Sequence, residues 1–567
     1  MNKTAIKNYA VWARNELITR VTRKAFEYGI DKDNIIDINT DNINGRILTK
    51  DEKEQRNKLI KEINDKGFEQ VIEEVAYTWF NRFIALRFME VNNYLPNKIR
   101  IFTNYDNEFK PQILDEAMNL ELEGLDKKLV YELLETNNKD ELYKQLLIAT
   151  CNDMGNYLPG MFTKISDYKV LLFPDNLLNQ DSVLGHLVTD IEEDSWNDQI
   201  QLIGWLYQYY NTELKDSIMK KSTYEKFDIP AVTQLFTPDW IVNYMVENTL
   251  GRILIDQTSH FMIESWKYFV ENKIANNLSS TFEYINDLNL KDIKFLDPCM
   301  GSGHILVSAF EHFIDIYKYK GYSAREASRM IIENNLFGLE IDERAYQLSY
   351  FSLMMMARKY DRRAFANIKQ NNLCVLQESN QLDRTLLKKL SDCEVIGEKV
   401  YENFINAKEL GSIINCSITN DELIRIEKKL NKLNQESINS GLIEMLENDT
   451  LLNELKPLIN QAKLFAQKYD FVVTNPPYMT PTKLQKKYID KHYPSFKTDL
   501  YSVFMEVDNN FLKETGYQAM INQQSWMYLI SFEKLRKEMA KEAMCKAKCF
   551  TIDSVITRWY NLFEEVL

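Results

Sequence analysis

Over the first 225 positions, apolar residues recur at helical rather than strand spacing. Between Glu73 and Asn92 (EEVAYTWFNRFIALRFMEVN), Val75, Trp79, Phe83 and Phe88 fall among charged residues as the stripe of an amphipathic helix. Glycine and proline are sparse, so the turns that would close hairpins are few. This predicts a mostly helical N-terminal domain over residues 1–225. From about residue 230 the texture changes. Short apolar runs, Ile293–Leu296, Leu336–Ile341, Phe471–Thr474, Gln518–Ile521 and Thr551–Ile556, alternate with helical patterns. That alternation predicts an α/β domain over residues 226–567, with a mainly parallel sheet and crossover helices. A charged, helix-rich stretch at about 376–468 interrupts it. There Leu423, Ile426, Leu430 and Leu433 repeat at helical spacing. The repeat is too short for a coiled coil and predicts a helical hairpin packed on the domain.

Composition narrows the class. At 567 residues, 45% hydrophobic and 27% charged, the chain is neither collagen-like, wholly disordered nor a disulfide scaffold. Its length suggests about three or four domains. Seven cysteines, Cys151, Cys299, Cys374, Cys393, Cys416, Cys545 and Cys549, lack framework spacing. They read as reduced thiols in a cytosol. Cys545 and Cys549 have no histidine nearby to complete a zinc site, so no metal is expected. Met1–Val21 has no signal-peptide core, and no apolar run approaches the ~20 residues of a membrane span. A cytoplasmic chain without membrane contact is expected. The net charge of −14 excludes a small nucleic-acid-coating protein. It leaves room for a DNA enzyme with a local basic surface.

Two segments carry chemistry. Ile293-Lys-Phe-Leu-Asp-Pro-Cys-Met-Gly-Ser-Gly-His304 reads as strand, tight turn and helix start. Gly301 and Gly303 permit a backbone and a close ligand approach that a Cβ blocks. Asp297 stands at the strand's carboxyl end, where α/β sheets bind ligands. Leu306 occupies the third glycine position of a dinucleotide fingerprint, and no GK[ST] follows, which excludes a P-loop here. In Phe337-Gly-Leu-Glu-Ile-Asp342, an acid at the next strand end suits the two hydroxyls of a ribose. Glu340 is the candidate and Asp342 the runner-up. Asn371 and Asn372 end the following segment, and Asn372 is preferred for an adenine edge. The second segment is Phe471-Val-Val-Thr-Asn-Pro-Pro-Tyr478. Pro476 and Pro477 fix the backbone and remove two amide donors. What remains are acceptors, the Asn475 side-chain oxygen and the Pro476 carbonyl, beside the aromatic face of Tyr478. This set fits an exocyclic amino group on a planar ring; the bland alternative is a proline turn ending a strand.

DPCMGSGH and NPPY together resemble the S-adenosylmethionine and catalytic motifs of amino-methyltransferases. Leu235–Met245 (LFTPDWIVNYM) resembles the upstream cofactor motif of restriction-system DNA adenine methyltransferases, which implies that Thr237 and its loop meet the methionine carboxylate. The motif order is similar to that of the gamma class of DNA N6-adenine methyltransferases. Asp499–Met505 and Gly516–Trp526 resemble the segments that follow NPPY in that class. Residues 73–96 and Asn561–Val566 resemble the phage-defence (BREX) methyltransferases of the PglX-like family, so the likeness covers nearly the whole chain. It implies a Rossmann-like methyltransferase domain behind the helical domain, moving a methyl group from S-adenosylmethionine to adenine N6. Thr237, Asp297, Pro298, Gly301, Gly303, Glu340 and Asn372 would hold the cofactor. Asn475, Pro476, Pro477 and Tyr478 would hold the base. Implied partners are double-stranded DNA and other defence proteins. Relatives of this family continue into target-recognition regions, so this chain is expected to lack that part and to bind DNA weakly by itself. NPPY also occurs in enzymes that methylate protein glutamine, RNA bases or cytosine N4. A cofactor-binding scaffold or sensor in a defence complex is the reading from another class.

Overall fold

The computed structural model describes residues 2–548 apart from 166–167, 222–223, 225, 234–236, 256–265, 271–288, 371 and 438–441. The expected strand Thr551–Ile556, the Asn561–Val566 segment, Leu235, Phe236 and Asn371 lie outside the described residues. In chain order, the elements used below are helices α1 (Lys3–Glu27), α2 (Phe68–Val91), α3 (Gln201–Tyr210) and α4 (Asp239–Ile255). They are followed by β1 (Phe295–Asp297), α5 (His304–Tyr319), β2 (Leu336–Glu340), α6 (Glu343–Tyr360) and β3 (Leu373–Val375). The hairpin α7 (Asn420–Ser437) and α8 (Leu442–Ala466) comes next. The chain then runs through β4 (Tyr469–Thr474), α9 (Lys483–His492), α10 (Leu500–Phe511), β5 (Leu512–Met520) and α11 (Glu533–Lys548).

The chain divides into two compact units. The first holds Met1–Lys221, Gln234–Ile293 and Met300–Val375; the second holds Ser222–Thr233, Lys294–Cys299 and Leu376–Leu567. In the first unit, α1 buries Ile6, Ala10, Ala13, Leu17 and Val21 along one stripe, as its spacing requires. Helix α2 departs from the one-sided stripe expected of it. Besides Val75, Trp79, Phe83 and Phe88, it buries almost every residue from Val75 to Val91, charged ones included. Aromatic neighbours close on several sides. Trp79 meets Phe173 edge-on at 4.6 Å, Tyr77 meets Tyr210 at 4.7 Å and Phe88 meets Phe351 at 6.0 Å. Two of these charges are buried as a pair. Arg87 binds Glu90 at 2.6 Å, and Glu90 also accepts from the Phe102 amide and the Thr103 hydroxyl.

Strand β2 pairs in parallel with β3 in this unit, with Gly338 opposite Leu373 and Glu340 opposite Val375. Sequence patterning missed β3, since Leu-Cys-Val is too short to show a period. A π-helical turn, Ile331–Asn335, leads into β2. Asn335 is buried there and holds three partners. It donates to the carbonyls of Leu290 and Ile293 and accepts from the Tyr317 hydroxyl, all within 2.9 Å.

In the second unit, β1 pairs with β4 and β4 with β5, all in parallel. β1 and β4 are buried nearly throughout, the apolar run of strands covered on both faces. β1 starts two residues later than the apolar run, because Ile293 closes a 3-10 turn over Leu290–Asp292. β5 is longer than the expected Gln518–Ile521 and half exposed. Its outer residues are polar, which hid them from a search for apolar runs. The hairpin is present as expected: α7 and α8 pack together, and Leu423, Ile426, Leu430 and Leu433 are all buried. Among the described residues, no helix is long and apolar enough to cross a membrane.

Candidate active site

Parallel register brings two distant sequence motifs to one sheet edge. Phe295 lies opposite Phe471 and Leu296 opposite Val472, so β1 and β4 end side by side. Asp297 ends β1 and Thr474 ends β4. The Thr474 hydroxyl donates to Asp297 Oδ1 at 2.8 Å, and the Cys299 amide donates to the same oxygen at 3.1 Å. Both side chains are buried. The loop after Asp297 and the Asn475–Tyr478 turn therefore leave the carboxyl edge of the sheet as neighbours. The Pro298 carbonyl, also buried, accepts from the Ser412 hydroxyl.

Asn475 and Pro477 are half-buried and Pro476 is buried. The Tyr478 hydroxyl lies 2.8 Å from Asn475 Oδ1 and 2.7 Å from the Ile521 carbonyl. One hydroxyl proton serves one of these acceptors at a time. When it goes to Ile521, Asn475 Oδ1 is released from Tyr478. The tyrosine ring packs, with Phe496, Met505 and Trp526, against a cluster of Tyr501, Phe532 and Leu535. Burial raises the Tyr478 hydroxyl well above its usual range, so it stays a neutral donor. Asp508 lies below this edge without solvent contact. Gln518 donates to its Oδ2 at 3.1 Å, while its Oδ1 accepts nothing among the described residues. Burial pushes its carboxyl well above the usual range, and the charge of Asp297 adds to this.

In the first unit, Gly301 and Gly303 both adopt positive φ, +53° and +84°. A Cβ on Gly303 would come 2.5 Å from Ser349 Oγ, whereas one on Gly301 would meet nothing within 4 Å. The Gly301 amide donates to Glu340 Oε2 at 2.8 Å. The amides of Ile341 and Asp342 donate to Glu340 Oε1 at 2.8 and 3.0 Å. Burial nonetheless lifts the Glu340 carboxyl to about 7, helped by the neighbouring Asp342. A carboxylate offers about four lone-pair sites, and three are used. Asp342 is committed elsewhere. It caps α6 through the Arg344 amide, pairs with the Arg344 guanidinium at 2.9 Å and accepts from Tyr207 at 3.3 Å.

Asn372 spends both amide hydrogens on the carbonyls of Ile332 and Glu333, each at 3.0 Å, closing the π-turn. Only its oxygen remains to face a ligand. Thr237 is buried just ahead of α4. Sequence reading missed the residue that ties this upstream motif to the glycine loop. His304, first residue of α5, binds Asp239, first residue of α4, at 2.9 Å, and this bond holds the Asp239 carboxyl below its usual range. One turn on, Ser308 donates to Asn243 at 2.8 Å. The signal was present as a histidine directly after GSG and an acid directly after FTP.

The first unit offers a glycine loop and a carboxylate with a spare acceptor site; the second offers a set of acceptors beside an aromatic ring. These features fit an adenosine-containing sulfonium cofactor and an amino-bearing acceptor ring. The Eco57I restriction-modification methylase family matches residues 334–548. Adenine-specific methyltransferase PglX of Lacticaseibacillus casei (strain Zhang) is 38% identical over 590 residues, covering 95% of this chain and 48% of the relative. Adenine-specific methyltransferase BrxX of Escherichia coli O9:H4 (strain HS) is 35% identical over 580 residues, covering 94% and 48%. A putative type II restriction enzyme and methyltransferase of Methanocaldococcus jannaschii is 21% identical over 571 residues, covering 83% and 46%. The chain thus spans about half the length of the curated relatives it matches.

Proposed function

We propose that the chain, which is similar to adenine-specific methyltransferases PglX and BrxX over about half their length, methylates adenine N6 in double-stranded DNA as part of a phage-defence system. The supporting observation is the Thr474–Asp297 hydrogen bond, which sets the start of the glycine loop beside the start of NPPY. S-adenosylmethionine, when bound, supplies an electrophilic methyl group. Asp297, Pro298, Gly301 and Gly303 form the loop that would hold it. Glu340 would accept from its ribose hydroxyls, Thr237 would meet its carboxylate and Asn372 would offer an oxygen to its adenine.

The target adenine is stacked in duplex DNA and must be extruded, at a cost of roughly a few kcal/mol. Asn475 Oδ1 and the Pro476 carbonyl accept its two N6 hydrogens, which aims the nitrogen lone pair at the methyl group. Pro477 keeps the turn rigid and Tyr478 stacks on the ring. Catalysis here is alignment, with no covalent enzyme intermediate. On this reading residues 1–225 are a helical N-terminal domain and 226–567 the catalytic domain with its insertion at 376–468. The reaction takes place in the cytoplasm, with other defence proteins as partners.

The test is mass spectrometry for N6-methyladenine in DNA incubated with the purified chain and S-adenosylmethionine. Asn475→Ala is expected to abolish product while cofactor binding, measured calorimetrically, persists. A variant that methylates normally removes the site assignment.

A further inference from the structure

The exposed face of α9 carries mainly positive charge. Thr482 caps the helix in a reciprocal pair with Gln485, and Gln485 and Ile489 are buried. Opposite them Lys483, Lys486, Lys487 and Lys491 are exposed at spacings that share one face. Asp490 is paired with Lys497 at 2.8 Å. None of the four lysines makes an ion pair among the described residues. This is a concentrated positive stripe on a chain of net charge −14. It starts five residues after Tyr478, a reach of at most ~18 Å of extended chain.

A second feature sits in the same unit. Met527, Tyr528, Leu529 and Ile530 are consecutive and 60%, 62%, 44% and 85% exposed. The segment is anchored. Arg536 donates to the carbonyls of Trp526 and Leu529 at 2.7 and 2.8 Å, and Tyr501 bonds Ser525 at 2.8 Å. The chain just past the stripe and the chain just past the apolar segment are joined by a hydrogen bond. Thr498, just beyond α9, donates to the Ser531 carbonyl at 3.1 Å. Tyr478, Phe496 and Trp526 pack on one cluster. Four consecutive water-exposed apolar side chains and a stripe of lysines in one unit match a polyanion with exposed apolar faces.

We infer that α9 and the Met527–Ile530 segment form a nucleic-acid surface on which the lysines hold phosphates and the apolar side chains take the faces of unstacked bases next to the extruded one. This rests on the DNA reading above and adds the residues that grip the strand. Each lysine–phosphate contact releases condensed counterions, so the two parts have separable signatures.

The experiment titrates a fluorescein-labelled duplex of mixed sequence, and its single strand, with the full chain across a salt series. Lys486→Ala with Lys487→Ala is expected to lower the slope of log affinity against log salt by about 2, at roughly 0.9 per contact. Tyr528→Ser with Ile530→Ser should keep the slope and weaken binding about tenfold, as loss of base stacking does. All four positions are exposed, so folding is preserved, which the unfolding temperature checks. An unchanged slope overturns the lysine assignment. An unchanged affinity in the Tyr528/Ile530 variant gives the patch to a protein partner and overturns the proposal. Wild-type chain that takes up S-adenosylmethionine yet binds neither DNA sinks the DNA reading itself, a result distinct from either.

Discussion

The pH dependence of cofactor affinity follows from one carboxylate. Glu340 sits at the end of β2 with three backbone amides donating to it, and burial still lifts its carboxyl to about 7. Ribose hydroxyls are donors, so they bind the ionised form; the protonated acid has lost the charge and turned one oxygen into a donor. A group with a pKa of about 7 is roughly nine-tenths ionised at pH 8 and one-tenth at pH 6. Affinity for S-adenosylmethionine should therefore fall about tenfold from pH 8 to pH 6, or ~1.4 kcal/mol. The assay is isothermal calorimetry in two buffers of different ionisation heat. Binding releases about 0.9 proton at pH 6 and about 0.1 at pH 8 if Glu340 is the titrating group. The amino group of the cofactor also titrates, near its ordinary value of about 7.7, so the quantity compared is wild type minus Glu340→Gln. That variant should bind more weakly at pH 8 and lose this component. The same group bears on stability. Its folded pKa lies above its unfolded value, so its contribution is complete below about pH 4.5 and is lost as pH rises through 7. The loss is on the order of 3 kcal/mol in the cofactor-free chain. Equal proton release at pH 6 and pH 8, or a Glu340→Gln variant that matches wild type throughout, would refute the reasoning.

Two other substitutions probe the scaffold. Gly303→Ala places a Cβ at φ +84° and 2.5 Å from Ser349 Oγ, so it should cost about 2 kcal/mol or more and weaken cofactor binding. Thermal unfolding reads the first effect, and an unchanged melting temperature would contradict the close approach. Asp508→Asn replaces a buried acid, which burial already holds in its neutral form, by a neutral side chain of the same shape. The acid's raised pKa costs stability above its unfolded value, so the variant should be more stable than wild type by about 1 kcal/mol at pH 8. The difference should shrink toward pH 5. Denaturant unfolding at both pH values decides this, and destabilisation that grows with pH would show the acid to be ionised and paired.

What the sequence reveals and what it hides divides along the range of the interaction. The glycine loop and NPPY were legible because the backbone there tolerates few residue types. Gly303 is needed at positive φ against Ser349, and two prolines cannot continue a strand ladder. The α7–α8 hairpin was legible from the period of its leucines. β3 was not, since three residues show no period, and the π-turn before β2 was not, since its closure depends on Asn335 and Asn372 reaching distant carbonyls. Asp508 reads in the sequence as a helical surface acid; only the packing of α10 shows it to be buried with one partner.

Charge shows the same division most sharply. Over residues 479–567 lysines and arginines number 13 against 11 acids, nearly neutral by count. The count averages over faces, whereas a phosphate responds to charges within about a Debye length, ~10 Å at ordinary salt. On α9, helical spacing gathers Lys483, Lys486, Lys487 and Lys491 onto one exposed side, and Lys497 neutralises the one acid among them. The local field is therefore that of about four uncompensated cations on a helix that starts five residues after Tyr478, whatever the remaining residues sum to. An acidic chain and a nucleic-acid surface are compatible for this reason: net charge governs solubility, and the arrangement on one helix governs where a polyanion lands.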